Sequence, residues 1–383
     1  MIEQTISNDA DPQCRGIGGP FHMQRLCVLV CGTHRCGTSA VTRVINLLGA
    51  DIARDLIPAR SDNARGYWES AAVIGIHDEL LNLIGPLQAD PFDPLSLPTA
   101  WQNTQQTQRA KYQLMDHVET EFAGSSLFVV KDPRISRLLP LWIDALKALS
   151  INVIVVIPFR NPLEVAASLA QRDAVSLPKA LLLYLQSYLD IEFASRSRRR
   201  VFVRYDSLFS DWRAFQTQLS ELSDMQLTPP SSVTNAKIED FLTTDLYHQR
   251  FNREELLSHP DVATIMVDLY DNMCKAVDRD DLLVRAAFDR LSGYCEHADK
   301  LYRDFIGEEL TALRRRATAE RNALKEEFER STSWRVTTPL RWTKLIATTG
   351  FRFDPSAVFR MLTLRRVRKG DYPAWPSVAH RGS

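Results

Sequence analysis

Apolar and β-branched residues concentrate in four short runs, 26–31, 126–130, 151–159 and 200–205. The runs are nearly continuous rather than alternating, which marks strands covered on both faces, as in a parallel sheet. Around them apolar residues return at the helical period and predict helices over 38–48, 74–83, 108–121, 136–149, 162–171 and 180–195. Strands alternating with helices imply βαβ units, so the expected fold class is α/β, an open parallel sheet flanked by helices. From residue 256 the strand signal stops, and 257–273 and 281–305 read as a helical extension. The following stretch, 306–330, is highly charged; Leu310, Ala317 and Leu324 recur every seven residues, but Glu320 and Glu327 weaken the seam, which suits a solvated or lightly paired helix. The organisation expected is a tail over 1–24, an α/β domain over 25–255, a helical subdomain over 256–305, a long charged helix over 306–330 and a basic aromatic tail over 331–383.

Composition narrows the function classes. With 45% hydrophobic and 25% charged residues in 383, the chain is neither wholly disordered nor collagen-like. Lys plus Arg equals Asp plus Glu at 47 each, so no global basic field exists for a polyanion; no nucleic-acid partner is expected, and any anion site must be local. Six scattered cysteines are too few for a disulfide framework, and the first 25 residues lack the apolar core of a signal peptide. A cytoplasmic location is expected.

Candidate chemistry begins where the first strand ends, at Gly32-Thr33-His34-Arg35-Cys36-Gly37-Thr38-Ser39. A strand, a loop with glycines five apart and a hydroxyl-rich helix start form an anion cradle, because backbone N–H groups and the positive helix end converge on one volume. The spacing is that of a phosphate-binding P-loop, G-x-x-x-x-G-K-S/T, except that Thr38 stands in place of the lysine. That loses the charge that reaches the β- and γ-phosphates of a nucleoside triphosphate. The nearest cation is Arg35, whose fork suits a terminal anionic group. A second segment, Ile157-Pro158-Phe159-Arg160-Asn161-Pro162, ends the most β-rich run, and Ser168 follows about two helical turns on, so an anion could bridge Arg160 and Ser168.

Together these segments resemble the two anion motifs of the sulfotransferase family, K/R-x-G-T-S/T and R-N-P-x-x-x-x-x-S. Members use 3′-phosphoadenosine 5′-phosphosulfate (PAPS) as donor, on a P-loop-type parallel sheet. The resemblance covers roughly residues 25 to 255. It implies that Arg35, Cys36, Gly37, Thr38 and Ser39 hold the 5′-phosphosulfate and that Arg160 and Ser168 hold the 3′-phosphate. It further implies that Tyr205, at the end of the fourth run, lies near the adenine, and that 241–250 closes over the nucleotide.

The reaction needs cations along the transfer axis and a base for the acceptor. Lys131 ends the second strand run, at the carboxyl edge where open α/β sheets bind ligands, and resembles the lysine beside the sulfo group in the family. Glu69, beside Tyr67 and Trp68, is the expected base, with its carboxyl raised by desolvation; His77 and Asp78 are rivals. Catalysis is thus assigned to Glu69, Lys131 and Arg35. No metal-ligand spacing is present and none is required: Cys27 and Cys31 read as core residues, and the Cys36 side chain as packing. The Arg196 to Arg200 run reads as a solvated helix end.

The segment from Ser331 to Trp342 resembles a tail on transferases of bacterial surface-polysaccharide loci. It suggests a glycan or lipid-linked saccharide acceptor, with small-molecule hydroxyls open. Trp334, Trp342, Phe351, Phe353 and Phe359 among basic residues could dock on the inner face of a membrane, on a partner or on the chain's own core, and the long helix could pair in a dimer. The alternatives to a sulfotransferase are a P-loop kinase or NTPase, and a scaffold with a degenerate phosphate loop.

Overall fold

The computed structural model describes residues 25–305 apart from 61–62, 64, 86–91, 95, 225–226, 228 and 244–249, together with scattered helical positions between 316 and 330. The expectations for 1–24 and 331–383, and for most of 306–330, therefore lie outside the described residues. The chain divides into two units, Met1–His297 and Ala298–Ser383. In the second, the described positions are helical, and Arg330 pairs with Glu326 one turn back at 3.5 Å.

The strands are β1 (Leu26–Val30), β2 (Leu127–Lys131), β3 (Asn152–Phe159) and β4 (Arg199–Arg204). The helices are α1 (Thr38–Leu47), α2 (Ala71–Ile84), α3 (Gln105–Phe122), α4 (Ile135–Ala148), α5 (Pro162–Asp173), α6 (Leu177–Ser195), α7 (Tyr205–Ser210), α8 (Trp212–Leu222), α9 (Ser232–Phe241), α10 (Arg253–Ser258), α11 (Thr264–Asp278) and α12 (Leu282–Phe305). The architecture is α/β with a parallel sheet of P-loop type, in the order β2-β1-β3-β4.

Side chains leave a strand alternately to either face, so the continuous apolar runs feed two cores. Cys27, Leu29, Phe128, Val130, Val155 and Ile157 pack with α3, α4, α6, α11 and α12. On the other face Val28, Val30, Val129, Ile154, Val156 and Val201 pack with α1, α8 and α9.

The strand order puts a switch point beside β1. The chain leaves β1 for β2 on one side, then crosses back to β3 on the other, so the loops at the carboxyl ends of β1 and β3 diverge and open a crevice. Four expected site residues lie at this edge of the sheet: Arg35 after β1, Lys131 at the end of β2, Arg160 after β3 and Tyr205 after β4; Glu69 comes to them from the connection between α1 and α2.

Three expectations change. The helix expected over 257–273 is broken: α10 stops at Ser258 and α11 starts at Thr264. His259-Pro260 sits in the gap, where the ring lacks an N–H and holds the preceding residue extended. Tyr205 opens α7 instead of closing a strand. Arg200 is no solvated residue: it is buried, chelates both Asp280 oxygens (2.6 and 2.8 Å) and donates to the Glu192 carbonyl and Ser195 Oγ, fastening the start of α12 to α6 and β4.

Candidate active site

The loop after β1 turns sharply. Arg35 adopts φ 67° and Gly37, the N-cap of α1, φ 92°. A Cβ at Gly37 would stand 2.1 Å from the Tyr205 ring, so only glycine fits between the loop and α7. The Cys36 thiol is fully buried and donates to the Thr33 carbonyl at 2.7 Å; burial pushes its pKa up to about 11. Cys36 can therefore offer an anion its backbone N–H but not its sulfur. Thr38 is buried too, whereas Ser39 is half-buried and its Oγ donates to the Tyr67 carbonyl at 3.2 Å.

At one end of the crevice the two anion motifs meet. Arg35 Nε donates to Ser168 Oγ at 2.9 Å across 133 residues of sequence. Arg160 is buried beside them, its carbonyl held by the Tyr184 hydroxyl at 2.7 Å and its guanidinium 5.0 Å from the centre of the Tyr205 ring. Burial raises the Tyr205 phenol, and the nearby Arg160 and Arg35 charges oppose that only in part. Arg35, Arg160, Ser168 and Tyr205 thus form one cluster. Arg35 reaches the Ser168 end of the crevice as well as its own loop.

Two residues of this cluster were missed in the sequence. Glu164, one helical turn after Arg160, accepts from Arg160 Nε at 2.5 Å and from the Phe251 backbone N–H at 2.9 Å. Asn161 caps α5 by accepting from Leu163 N–H at 3.0 Å and donates to the carbonyls of Phe251 and Asn252. The 250–252 segment is thereby strapped over the Arg160 turn. The i,i+4 spacing of Arg160 and Glu164 was the available signal. Next to the strap lies a cavity of about 640 Å³ lined by Glu164, Arg204, Phe251, Tyr270 and Cys274. Of the 241–250 segment, 244–249 lies outside the described residues; Arg65 holds its start by donating to the Phe241 carbonyl (2.7 Å) and to Thr243 Oγ1 (3.1 Å).

At the other end Lys131, buried, spends all three ammonium donors: on the Glu69 carboxylate in a short contact, on the Tyr67 carbonyl at 3.0 Å and on Ser39 Oγ at 3.2 Å. The 66–69 turn makes this possible. Gly66 (φ 95°) and Trp68 (φ 60°) take the left-handed region, and the Arg43 guanidinium lies 4.6 Å from the Trp68 ring. Glu69 therefore faces a lysine rather than an apolar wall.

The rivals to Glu69 are otherwise engaged. His77 is fully buried between Trp142 Nε1, which donates to His77 Nε2 at 2.9 Å, and Asp132, 3.3 Å from Nδ1. Asp78 pairs with Arg134 at 2.7 Å. Asp132 accepts from the Arg134 backbone N–H (2.8 Å) and Nη1 (3.1 Å); burial would raise its pKa, but His77 and Arg134 hold it well below the usual carboxylate range. His34 packs edge-on to Phe92 with ring centres 5.0 Å apart, and burial, then the charges of Arg134 and Arg172, push its pKa down to about 3. Cys27 and Cys31 are core residues, with pKa values raised by burial. Among the described residues no three His, Cys, Asp or Glu side chains gather as a metal site.

No protein-family model matches the chain, and no curated protein matches its sequence. Among solved structures it is similar to the sulfotransferase STF9 from Mycobacterium avium, at 14% identity over 67% of this chain and 77% of that one, with a TM-score of 0.38. It is also similar to the sulfotransferase domain of the Synechococcus PCC 7002 olefin synthase, at 16% identity over 72% of this chain and 97% of that one, TM-score 0.34. A third is the sulfotransferase domain from the curacin biosynthetic pathway, at 14% identity over 71% and 98%, TM-score 0.31.

Proposed function

We propose that the chain is a sulfotransferase that moves a sulfuryl group from PAPS to a hydroxyl or amine of an acceptor. The observation that carries this reading is the Arg35 to Ser168 contact, which closes two distant anion motifs around one crevice at the switch point of the sheet. A donor with two separated anionic groups suits that arrangement. Arg160, Ser168 and Arg35 would take the 3′-phosphate, and the loop N–H groups and the start of α1 the 5′-phosphosulfate.

The chain's own part in transfer follows from the Lys131 contacts. Lys131 is held by Glu69, Tyr67 and Ser39. An anion arriving at Ser39 competes for the ammonium, which then stabilises charge growing on the oxygen between phosphorus and sulfur. Glu69, relieved of that contact, takes the proton of the acceptor as the new sulfur–oxygen or sulfur–nitrogen bond forms and 3′-phosphoadenosine 5′-phosphate (PAP) leaves.

The kinase alternative needs a free acidic group at a strand end for magnesium. Asp132 is occupied by Arg134 and His77, and Asp206 by Arg204 at 2.6 Å. The test is Arg160→Ala, expected to weaken PAP binding at least tenfold more than binding of adenosine 5′-phosphosulfate, measured by calorimetry. Equal loss for both nucleotides overturns the assignment of the 3′-phosphate.

For the acceptor we favour a bacterial glycan or lipid-linked saccharide, with 306–383 as a docking or pairing segment at a membrane or partner; the support is the sequence of Ser331 to Trp342. Among the described residues no helix is long and apolar enough to cross a membrane. Removing 306–383 is expected to leave PAP binding intact while lowering turnover of the lipid-linked acceptor. Unchanged turnover counts against a docking role.

A further inference from the structure

Helix α2 meets the carboxyl end of β2 at three places in matching order. Glu69, just ahead of the α2 cap Ser70, contacts Lys131; His77 faces Asp132 from 3.3 Å; and Asp78 pairs with Arg134 at 2.7 Å. The outer contacts hold the transfer pair and a part-buried ion pair. The middle one has both side chains fully buried.

The chemistry of the middle contact is determined by Trp142. Its indole N–H can only donate, and it points at His77 Nε2 from 2.9 Å, so Nε2 must carry the lone pair and Nδ1 the proton. Nδ1 stands 3.3 Å from Asp132 Oδ2, in close polar contact but outside hydrogen-bond geometry, and Arg134 grips both Asp132 oxygens. The buried contact between an ionised Asp132 and a histidine of one tautomer therefore joins α2 to the residue next to Lys131. The indole ties the same histidine to α4.

We propose that His77 and Asp132 are positioning residues that set the register of α2 on β2 and thereby the alignment of Glu69 with Lys131. The proposal rests on the reading of Lys131 and Glu69 as the transfer pair. Glu69 moves with the start of α2 and Lys131 with the end of β2, so a slip between the two elements separates base from cation. A displacement of about 1 Å in such a pair can cost roughly a hundredfold in rate.

The test compares two variants. His77→Gln keeps an acceptor for Trp142 and removes the polar nitrogen 3.3 Å from Asp132; His77→Asn keeps an N–H in the place of Nδ1. His77→Gln is expected to slow PAPS turnover at least tenfold at saturating donor, with the dissociation constant for PAP within twofold of wild type, and His77→Asn to recover most of the rate. A second arm needs no activity: a double-mutant cycle of His77→Gln and Glu69→Gln on the urea unfolding constant. His77 and Glu69 lie eight positions apart, about two helical turns, so independent sites would combine multiplicatively. Positioning predicts a departure of at least fivefold, with His77→Asn replacing His77→Gln if the latter does not fold. Wild-type turnover in His77→Gln, equal loss in both variants, or multiplicative effects within twofold overturns the proposal. Failure of the wild type to bind PAP counts against the donor reading, and the cycle then still decides whether His77 sets the Glu69 to Lys131 contact.

Discussion

Glu69 and Lys131 show how a residue's environment can be misjudged from its neighbours in sequence. Two adjacent aromatics suggested a carboxyl in an apolar pocket, but left-handed Trp68 turns the backbone so that Glu69 meets Lys131 instead. Positive φ at a non-glycine aromatic leaves little local trace, so this contact was not legible. Glu69→Gln is expected to lower kcat by about 10²–10⁴-fold, the usual worth of a general base, with PAP affinity equal or tighter because Lys131 loses a competitor. Loss of PAP binding with unchanged kcat contradicts the assignment. His34 makes a second test at this scale. Its pKa of about 3 in the folded chain lies below the ~6.5 of an unfolded histidine, so as pH falls below ~6.5 the unfolded state takes up a proton the folded state refuses. Stability should therefore drop by about 1–2 kcal/mol between pH 6.5 and 5 from this residue. His34→Gln should flatten that part of the urea-midpoint profile; an unaltered slope assigns the acid sensitivity elsewhere.

Among the elements, the four strands were legible because burial on both faces of a parallel strand leaves a short continuous apolar run rich in β-branched residues, and the longer helices around them because their apolar positions recur at the helical period. The short helices α7 to α10 were not, because six to eleven residues carry too few apolar positions to show a period. The Arg196 to Arg200 run misled for a different reason. Charge density reads as solvent exposure, yet Arg200 lies on β4 under α12 with its guanidinium saturated by Asp280, Glu192 and Ser195. Arg200→Ala leaves the buried Glu192 and the half-buried Asp280 without this partner, and is expected to cost about 3–5 kcal/mol of unfolding free energy, the usual penalty for breaking a buried pair. A loss under about 1 kcal/mol in urea unfolding would show a pair that is effectively solvated.

In the whole molecule, the order β2-β1-β3-β4 explains why residues 35, 131, 160 and 205 belong to one crevice though spread over 170 positions. The motifs pointed to Arg35, Arg160 and Ser168, and the fold brings them together. The strap through Glu164 and Asn161 was invisible because its partners are the backbone of 251–252, which no side-chain pattern announces. The central claim is that this crevice recognises a nucleotide by its 3′-phosphate. Calorimetric titration of the purified protein with PAP, against ATP and 5′-AMP and without added metal, tests it most directly. Micromolar binding of PAP with at least tenfold weaker binding of 5′-AMP is the expected result; binding of ATP in preference, or of PAP and 5′-AMP alike, contradicts it.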